Sequence, residues 1–163
     1  MPFQTAIADD QAYGITGEMA FDGPKRAEAL NVNSNAGVPN LIGGAFTHTT
    51  GVDGECAPGA LGGGAFAGFL LNPKVHATGN SLETITALPD NTSAELMTMG
   101  IIIVDLTIIG TGAIGEPLFY VDTTGAIGSG TAAAGQTQIA NAKISHRNIS
   151  APGQAVVTLT EAE

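Results

Sequence analysis

The clearest pattern in the chain is the run GIIIVDLTIIG at residues 100–110. Its even positions Ile102, Val104, Leu106 and Ile108 are all apolar, while its odd positions include Asp105 and Thr107. That period of two predicts a strand with one core face, the other face being partly wet or an interface. LIGGAFTH (41–48) and AFAGFLLN (65–72) are apolar runs bounded by turn signals, and both read as strands. LETITAL (82–88) alternates, and SAELMTM (93–99) is a further short candidate. PLFYVD (117–122) predicts a strand, DTTG a turn with Gly125 at positive φ, and AIGSG (126–130) the return strand. QIANAKISHRNIS (138–150) and QAVVTLTEAE (154–163) complete a set of about seven to nine strands. The segment 49–64, TTGVDGECAPGALGGG, reads as a glycine-rich connection.

The first 35 residues have a different texture. QAYGITGEMAFDGPKR (11–26) shows neither a period of two nor one of 3.6. PKRAEAL (24–30) predicts one or two helical turns with Pro24 at the first position. NVNSNAGVPN (31–40) is a loop by composition. The expected organisation is therefore mainly β: an extended N-terminal arm over 1–35 and a β-barrel or β-sandwich domain over 36–163. Phe3, Tyr13 and Phe21 are the arm's aromatic residues. Burying each contributes roughly 1.5–3 kcal/mol, whereas ordering each residue costs about 1–2 kcal/mol of backbone entropy. The arm thus needs a surface that already exists: its own β-domain, a neighbouring copy or a different protein.

Composition sharpens the fold class and narrows the partners. A length of 163 residues suits one domain with an appended arm. With 44% hydrophobic residues, 5% aromatic and no Trp, the core must be built from small and β-branched groups. Twenty-three glycines and only 12% charged residues disfavour a helical bundle. The net charge of −10 and the five cations Lys25, Arg26, Lys74, Lys143 and Arg147 give no basic stripe, so nucleic acid is not an expected partner. No signal peptide is visible, and the longest apolar run is too short for a bilayer and interrupted by Asp105. The chain reads as soluble, made in a reducing cytoplasm and without a membrane partner.

Motifs that could carry chemistry are sparse. GTGAIG (110–115) matches the dinucleotide-binding fingerprint and follows an apolar strand, but Glu116 and Pro117 follow where a helix should start. GGGAFA (62–67) fits a looser form and fails in the same way. His48, His76 and His146 lack partners at metal-ligand spacing. The single Cys56, in GECAPG, reads as a bystander rather than a nucleophile. No catalytic residue, cofactor or metal is expected.

AYGITGEMAFDGPKRAEAL (12–30) resembles the opening of tailed-phage capsid cement, or decoration, proteins. AFAGFLLNPK, then GIIIVDLTIIGTGAIGEPLFYVDTTGAIGSG and ISHRNISAPGQAVVTL, are similar to that family's later strands and hairpin. The similarity covers most of the chain and lies in glycine and strand texture. It implies a non-enzymatic structural protein of the virion, assembled in the host cytoplasm and placed on the outer surface of the head. Such a protein binds across major capsid protein subunits, as a homotrimer or a dimer, and holds the shell against DNA pressure. The expected interface residues are Tyr13, Met19 and Phe21 as anchors, with Lys25 and Arg26 pairing with acidic capsid groups. The competing reading is a carbohydrate- or receptor-binding β-domain of a tail fibre or surface protein. The lack of Trp, the usual sugar-stacking residue, weighs against it.

Overall fold

The structure, a computed structural model, describes residues 14–34, 37–73 and 87–160. Those residues form eleven strands and no helix. They are β1 (Arg26–Val32), β2 (Asn40–Leu41), β3 (Ala45–Thr49), β4 (Glu55–Pro58), β5 (Gly63–Leu70), β6 (Ala87–Leu88), β7 (Thr92–Ile108), β8 (Pro117–Val121), β9 (Ile127–Ser129), β10 (Gln136–Ile144) and β11 (Gly153–Leu159). The mainly-β expectation holds, and the architecture is a barrel.

The pairings close on themselves twice. In the first ring β1 pairs with β4, β4 with β3, β3 with β5, β5 with β7, and β7 back with β1. In the second, β7 pairs with β11, β11 with β10, β10 with β8, β8 with β9, and β9 back with β7. Both are five-stranded barrels with a single parallel pairing, β1–β4 in one and β7–β9 in the other. The 17-residue β7 belongs to both. Its first half, through Met99, pairs with β1; its second half, from Gly100, pairs with β11. Gly100 stands at the crossing with φ +141, a conformation an L side chain rarely adopts.

Side-chain alternation fills the two interiors. Leu30, Val32, Phe46, Cys56, Ala67, Leu70, Ala94 and Leu96 fill the first barrel, each of its strands contributing. Ile102, Val104, Leu106, Leu118, Tyr120, Ile127, Ile139, Ile144 and Val157 fill the second. Ala45, Phe69 and Met97 are sequence neighbours of Phe46, Leu70 and Leu96, so they point out of the first barrel; they join the second core instead. The two barrels therefore share a packed wall. Backbone bonds cross it too: the Ala45 N–H donates to the Gly125 carbonyl (2.9 Å) and the Ala60 N–H to the Asp122 carbonyl (2.8 Å). The turn at Asp122–Gly125, with Gly125 at φ +71, is the docking point.

Several local expectations change. PKRAEAL is not helical: Arg26–Val32 is strand β1, paired antiparallel with Thr92–Met99, with one register shift between Arg26 and Ala27. A tertiary ladder outweighs a weak local helix preference. That strand lies within the expected arm yet forms a wall of the first barrel. The glycine-rich connection contains β4, whose Cys56, Ala57 and Pro58 are all buried. SAELMTM and the run from Gly100 to Ile108 are one continuous strand. Residues 82–86 of LETITAL lie outside the described residues, and its last two form β6.

Because both barrels share β7 and a wall, they should unfold as one unit. Leu96→Ala in the first interior and Leu118→Ala in the second should each cost about 2–5 kcal/mol and lower the midpoint of the same single urea transition. Two separable transitions, one moved by each variant, would contradict the shared core.

Candidate functional site

The first described residues answer where an aperiodic segment goes. Gly14–Ala20 runs along β7 on its own chain. The Gly17 N–H donates to the Ile103 carbonyl (2.8 Å), the Ile103 N–H to the Glu18 carbonyl (2.9 Å) and the Ala20 N–H to the Ile101 carbonyl (3.0 Å). Met19 forms an isolated antiparallel bridge with Ile102. Along β7 these contacts fall between the stretch paired with β1 and the one paired with β9. On the other side of the arm, the Asn72 N–H donates to the Gly17 carbonyl (2.9 Å).

Side chains add a clamp. Asp105 and Gln154 are directly opposed on β7 and β11. Thr16 reaches this pair: its hydroxyl donates to Asp105 Oδ2 (2.8 Å) and accepts from Gln154 Nε2 (3.4 Å). Gln154 Nε2 also donates to the Gly14 carbonyl (3.1 Å). Gly17 is buried at φ +82, and a Cβ there would overlap Ile42 Cγ2 and lie 2.9 Å from the Asn72 nitrogen. Only glycine lets the arm sit this low. Beneath it lies Ile103, an odd-position residue of β7 that is only 2% exposed.

The arm is thus held by its backbone and by Thr16, while its large apolar side chains stay outside. Ile15, Met19 and Phe21 are 50%, 46% and 47% exposed. Phe21 stacks on the His146 ring with centroids 4.4 Å apart. Lys25 Nζ is 3.6 Å from Asp22 Oδ1, an exposed pair of small energetic value. Arg26 opens β1 opposite Met99 and is exposed. Tyr13 lies outside the described residues. Of the expected interface residues, Met19, Phe21, Lys25 and Arg26 therefore fall on one short exposed stretch, 19–26, leading into β1. Thr16, Gly17 and Gln154, which hold that stretch in place, carry no signal in the sequence; Asp105 stands out there only as a polar break in an apolar run.

Two grooves flank the arm. One, about 360 Å³, is lined by Ile15, Thr16, Ile42, Asp105, Ile127 and Gln154, among others. The other, about 580 Å³, is lined by Glu18, Met19, Ala29, Leu71, Pro73 and Glu95, among others.

The glycine-rich motif has a different occupant from the one its fingerprint suggests. The amides of Thr111 and Gly112 both donate to the Glu116 carboxylate (2.7 Å each), as do the hydroxyls of Ser129 (2.9 Å) and Thr111 (3.0 Å). The chain's own carboxylate fills the anion nest and ties the loop to β9. Partial burial pushes the Glu116 carboxyl up, but the bonds from Thr111, Ser129 and Gly112 together bring it below its ordinary value. Asp90 behaves alike: the Ser34 N–H and the Asn40 amide hold its carboxyl down against slight desolvation. Cys56 is fully buried, and that burial, with the charges of Glu55 and Glu28, pushes its thiol up to about 12. It is protonated at neutral pH and unsuited to nucleophilic chemistry. Among the described residues no three His, Cys, Asp or Glu side chains converge to hold a metal.

Comparison with known proteins agrees with the fold. A model of the structural cement protein family (E217 gp24/Pam3 gp6) matches residues 3–160. No curated protein matches. Among solved structures, a chain from "The capsid of Myoviridae Phage XM1" superimposes with a TM-score of 0.64 at 19% identity, covering 98% of both chains. At that identity the likeness establishes the fold alone.

Thr16→Val should cost about 1 kcal/mol and Gly17→Ala roughly 1–3 kcal/mol, and both should speed hydrogen exchange at Gly17 and Ala20 with the barrels intact. Unchanged exchange at those amides would contradict the clamp. Glu116 and Asp90 have folded-state values below their unfolded ones, so their stabilisation is full above the ordinary carboxylate range and fades as pH falls through that range to the folded value. Acidification through it should destabilise the wild type more than a Glu116→Gln, Asp90→Asn double variant; parallel pH curves would refute the latch.

Proposed function

Since the chain belongs to the phage structural cement protein family, we propose that it sits on the outer surface of a tailed-phage head, bound across major capsid protein subunits. There it fastens the shell against the pressure of packaged DNA. The observation that carries this reading is the family match over residues 3–160. The geometry supports it. Two closed barrels with a common wall make a stiff body, and the arm displays Ile15, Met19 and Phe21 half exposed on a fixed backbone. Apolar groups held outward in a defined geometry lose little entropy on docking.

In this reading Met19 and Phe21 are anchors on the capsid or a neighbouring copy, joined by Tyr13 on sequence grounds, and Lys25 and Arg26 meet acidic groups of the partner. Self-association is as a homotrimer, with a dimer as the simpler alternative. A net charge of −10 keeps the molecule from competing for DNA. Many modest contacts repeated over a shell stiffen it by multivalency. No helix among the described residues is long and apolar enough to cross a membrane. The protein works by binding, without catalysis or a cofactor.

The deciding experiment is co-sedimentation with expanded heads of its own phage from which this protein is missing. Wild type should bind at a fixed, saturating ratio and raise the temperature at which filled heads release DNA. A Met19→Ser, Phe21→Ser variant should bind about tenfold or more weaker with its melting midpoint little changed. Wild-type protein that leaves the heads neither decorated nor stabilised would overturn the reading.

A further inference from the structure

Phe21 is held differently from the rest of the arm. Among the described residues the arm's last backbone bond to β7 is made by Ala20, and strand β1 begins only at Arg26. Phe21 is the first residue beyond that tether. Its ring is placed instead by the stack on His146, with centroids 4.4 Å apart and planes 21° from parallel. His146 lies in the connection from β10 to β11 of the second barrel. Its backbone sits at φ +68, and Asn91 is the one other non-glycine residue at positive φ among those described. The Arg147 N–H donates to the Ser145 carbonyl (2.8 Å), a bond that spans His146 alone. With that φ the three residues form the γ-turn of positive hand, which is rare and strained where its inverse is common. Glycine takes such a φ without penalty, and a residue with a side chain does not. The ring itself is oriented by Ser145, whose hydroxyl hydrogen-bonds His146 Nδ1 (2.9 Å) and donates to the Val156 carbonyl (3.3 Å). Strain kept at a position that glycine would relieve points to a use for the side chain.

We propose that His146 is the positioning residue for Phe21. The strained turn holds the imidazole as a backing plate, and the stack fixes the other face of the Phe21 ring outward for the head surface. Phe21 is 47% exposed in this arrangement, so the ring is oriented without being consumed. The partner then meets an aromatic group whose side-chain torsions are already set, and less entropy is lost on docking. The stack is also the arm's second side-chain link to the second barrel. The first is the Thr16 clamp on Asp105 and Gln154, near the other end of the described arm. The inference rests on the head-binding reading and names the residue that prepares one of its anchors. Preorganisation contributes no more than the interaction that provides it. The effect on affinity is therefore bounded by the worth of one aromatic pair, about two- to tenfold.

The experiment compares wild type, His146→Ala and His146→Gly. Alanine removes the ring and keeps the strained backbone; glycine removes both. The urea midpoint of His146→Gly should lie above that of His146→Ala, and the reverse order would show an unstrained turn and overturn the proposal. In both variants the Phe21 ring proton signals, shielded by the imidazole in the wild type, should move to the values of a free phenylalanine. Unmoved signals overturn the stack. Both variants should bind heads lacking this protein about two- to tenfold more weakly than wild type, and by the same factor despite their different stabilities. A loss that tracks stability, with His146→Gly binding like wild type, makes the role merely structural and overturns the inference. In a Phe21→Ser background His146→Ala should cause no further loss of binding. A full further loss would place His146 itself against the head and overturn the positioning role. Wild-type affinity in both variants overturns the inference and leaves the cement reading standing. Failure of wild type to bind heads overturns both.

Discussion

One strand serving two closed barrels is the constraint on which the rest of this structure depends. A strand in a single barrel buries one face and shows the other to solvent. Over its first half β7 buries Ala94 and Leu96 in one core, while Met97 faces the wall shared with the other. Over its second half Ile102, Val104 and Leu106 take the interior, and Ile103, on the opposite face, disappears under the arm. The strand must also turn from one ring into the next, and Gly100, at a φ that disfavours side chains, stands where its partners change. Closure removes the open edges that make sheet proteins stick together. What the two closed barrels present outward is therefore side chains and the arm.

The arm solves a problem the barrels leave behind. Between the stretches of β7 that pair with β1 and β9, the backbone at Ile101–Ile103 still needs partners, and Gly17, Glu18 and Ala20 supply them. This meets the backbone's requirement for hydrogen bonds without consuming the arm's apolar side chains. Ile15, Met19 and Phe21 are left displayed in a fixed geometry. An aperiodic segment, poor at forming its own structure, suits this position because it takes its conformation from β7 and Gly17 rather than from local propensity.

What is legible in the sequence follows from how far each signal is local. The alternation at 100–110, the hairpin around Gly125 and the last two strands are local period-two patterns, and they stand where expected. Strand β1 reads as helical in isolation because its fit depends on Thr92–Met99, more than sixty residues on. Strand β4 is hidden because four residues between glycines show no period, and Cys56, Ala57 and Pro58 are all buried. Double use of β7 is a topological fact that hydropathy does not encode. At the candidate site, Met19 and Phe21 are legible as apolar groups without a helix or strand to hold them. Thr16 and Gln154 are not, since their meaning lies in a bridge spanning 138 residues.

The glycine-rich loop and the arm show the same logic with opposite outcomes. At GTGAIG the backbone donors that a phosphate would need are satisfied by Glu116 and locked to Ser129. A nest whose anion is supplied by the residue just after it has no donors to spare, and its role is to fix a loop. Cys56 is likewise spent on packing. At the arm, by contrast, polar demand is met by Thr16 and the backbone while the apolar surface of Ile15, Met19 and Phe21 is left over. Internal satisfaction where chemistry could have been, and apolar side chains held outward on a fixed backbone, is a distribution consistent with membership of a structural protein family.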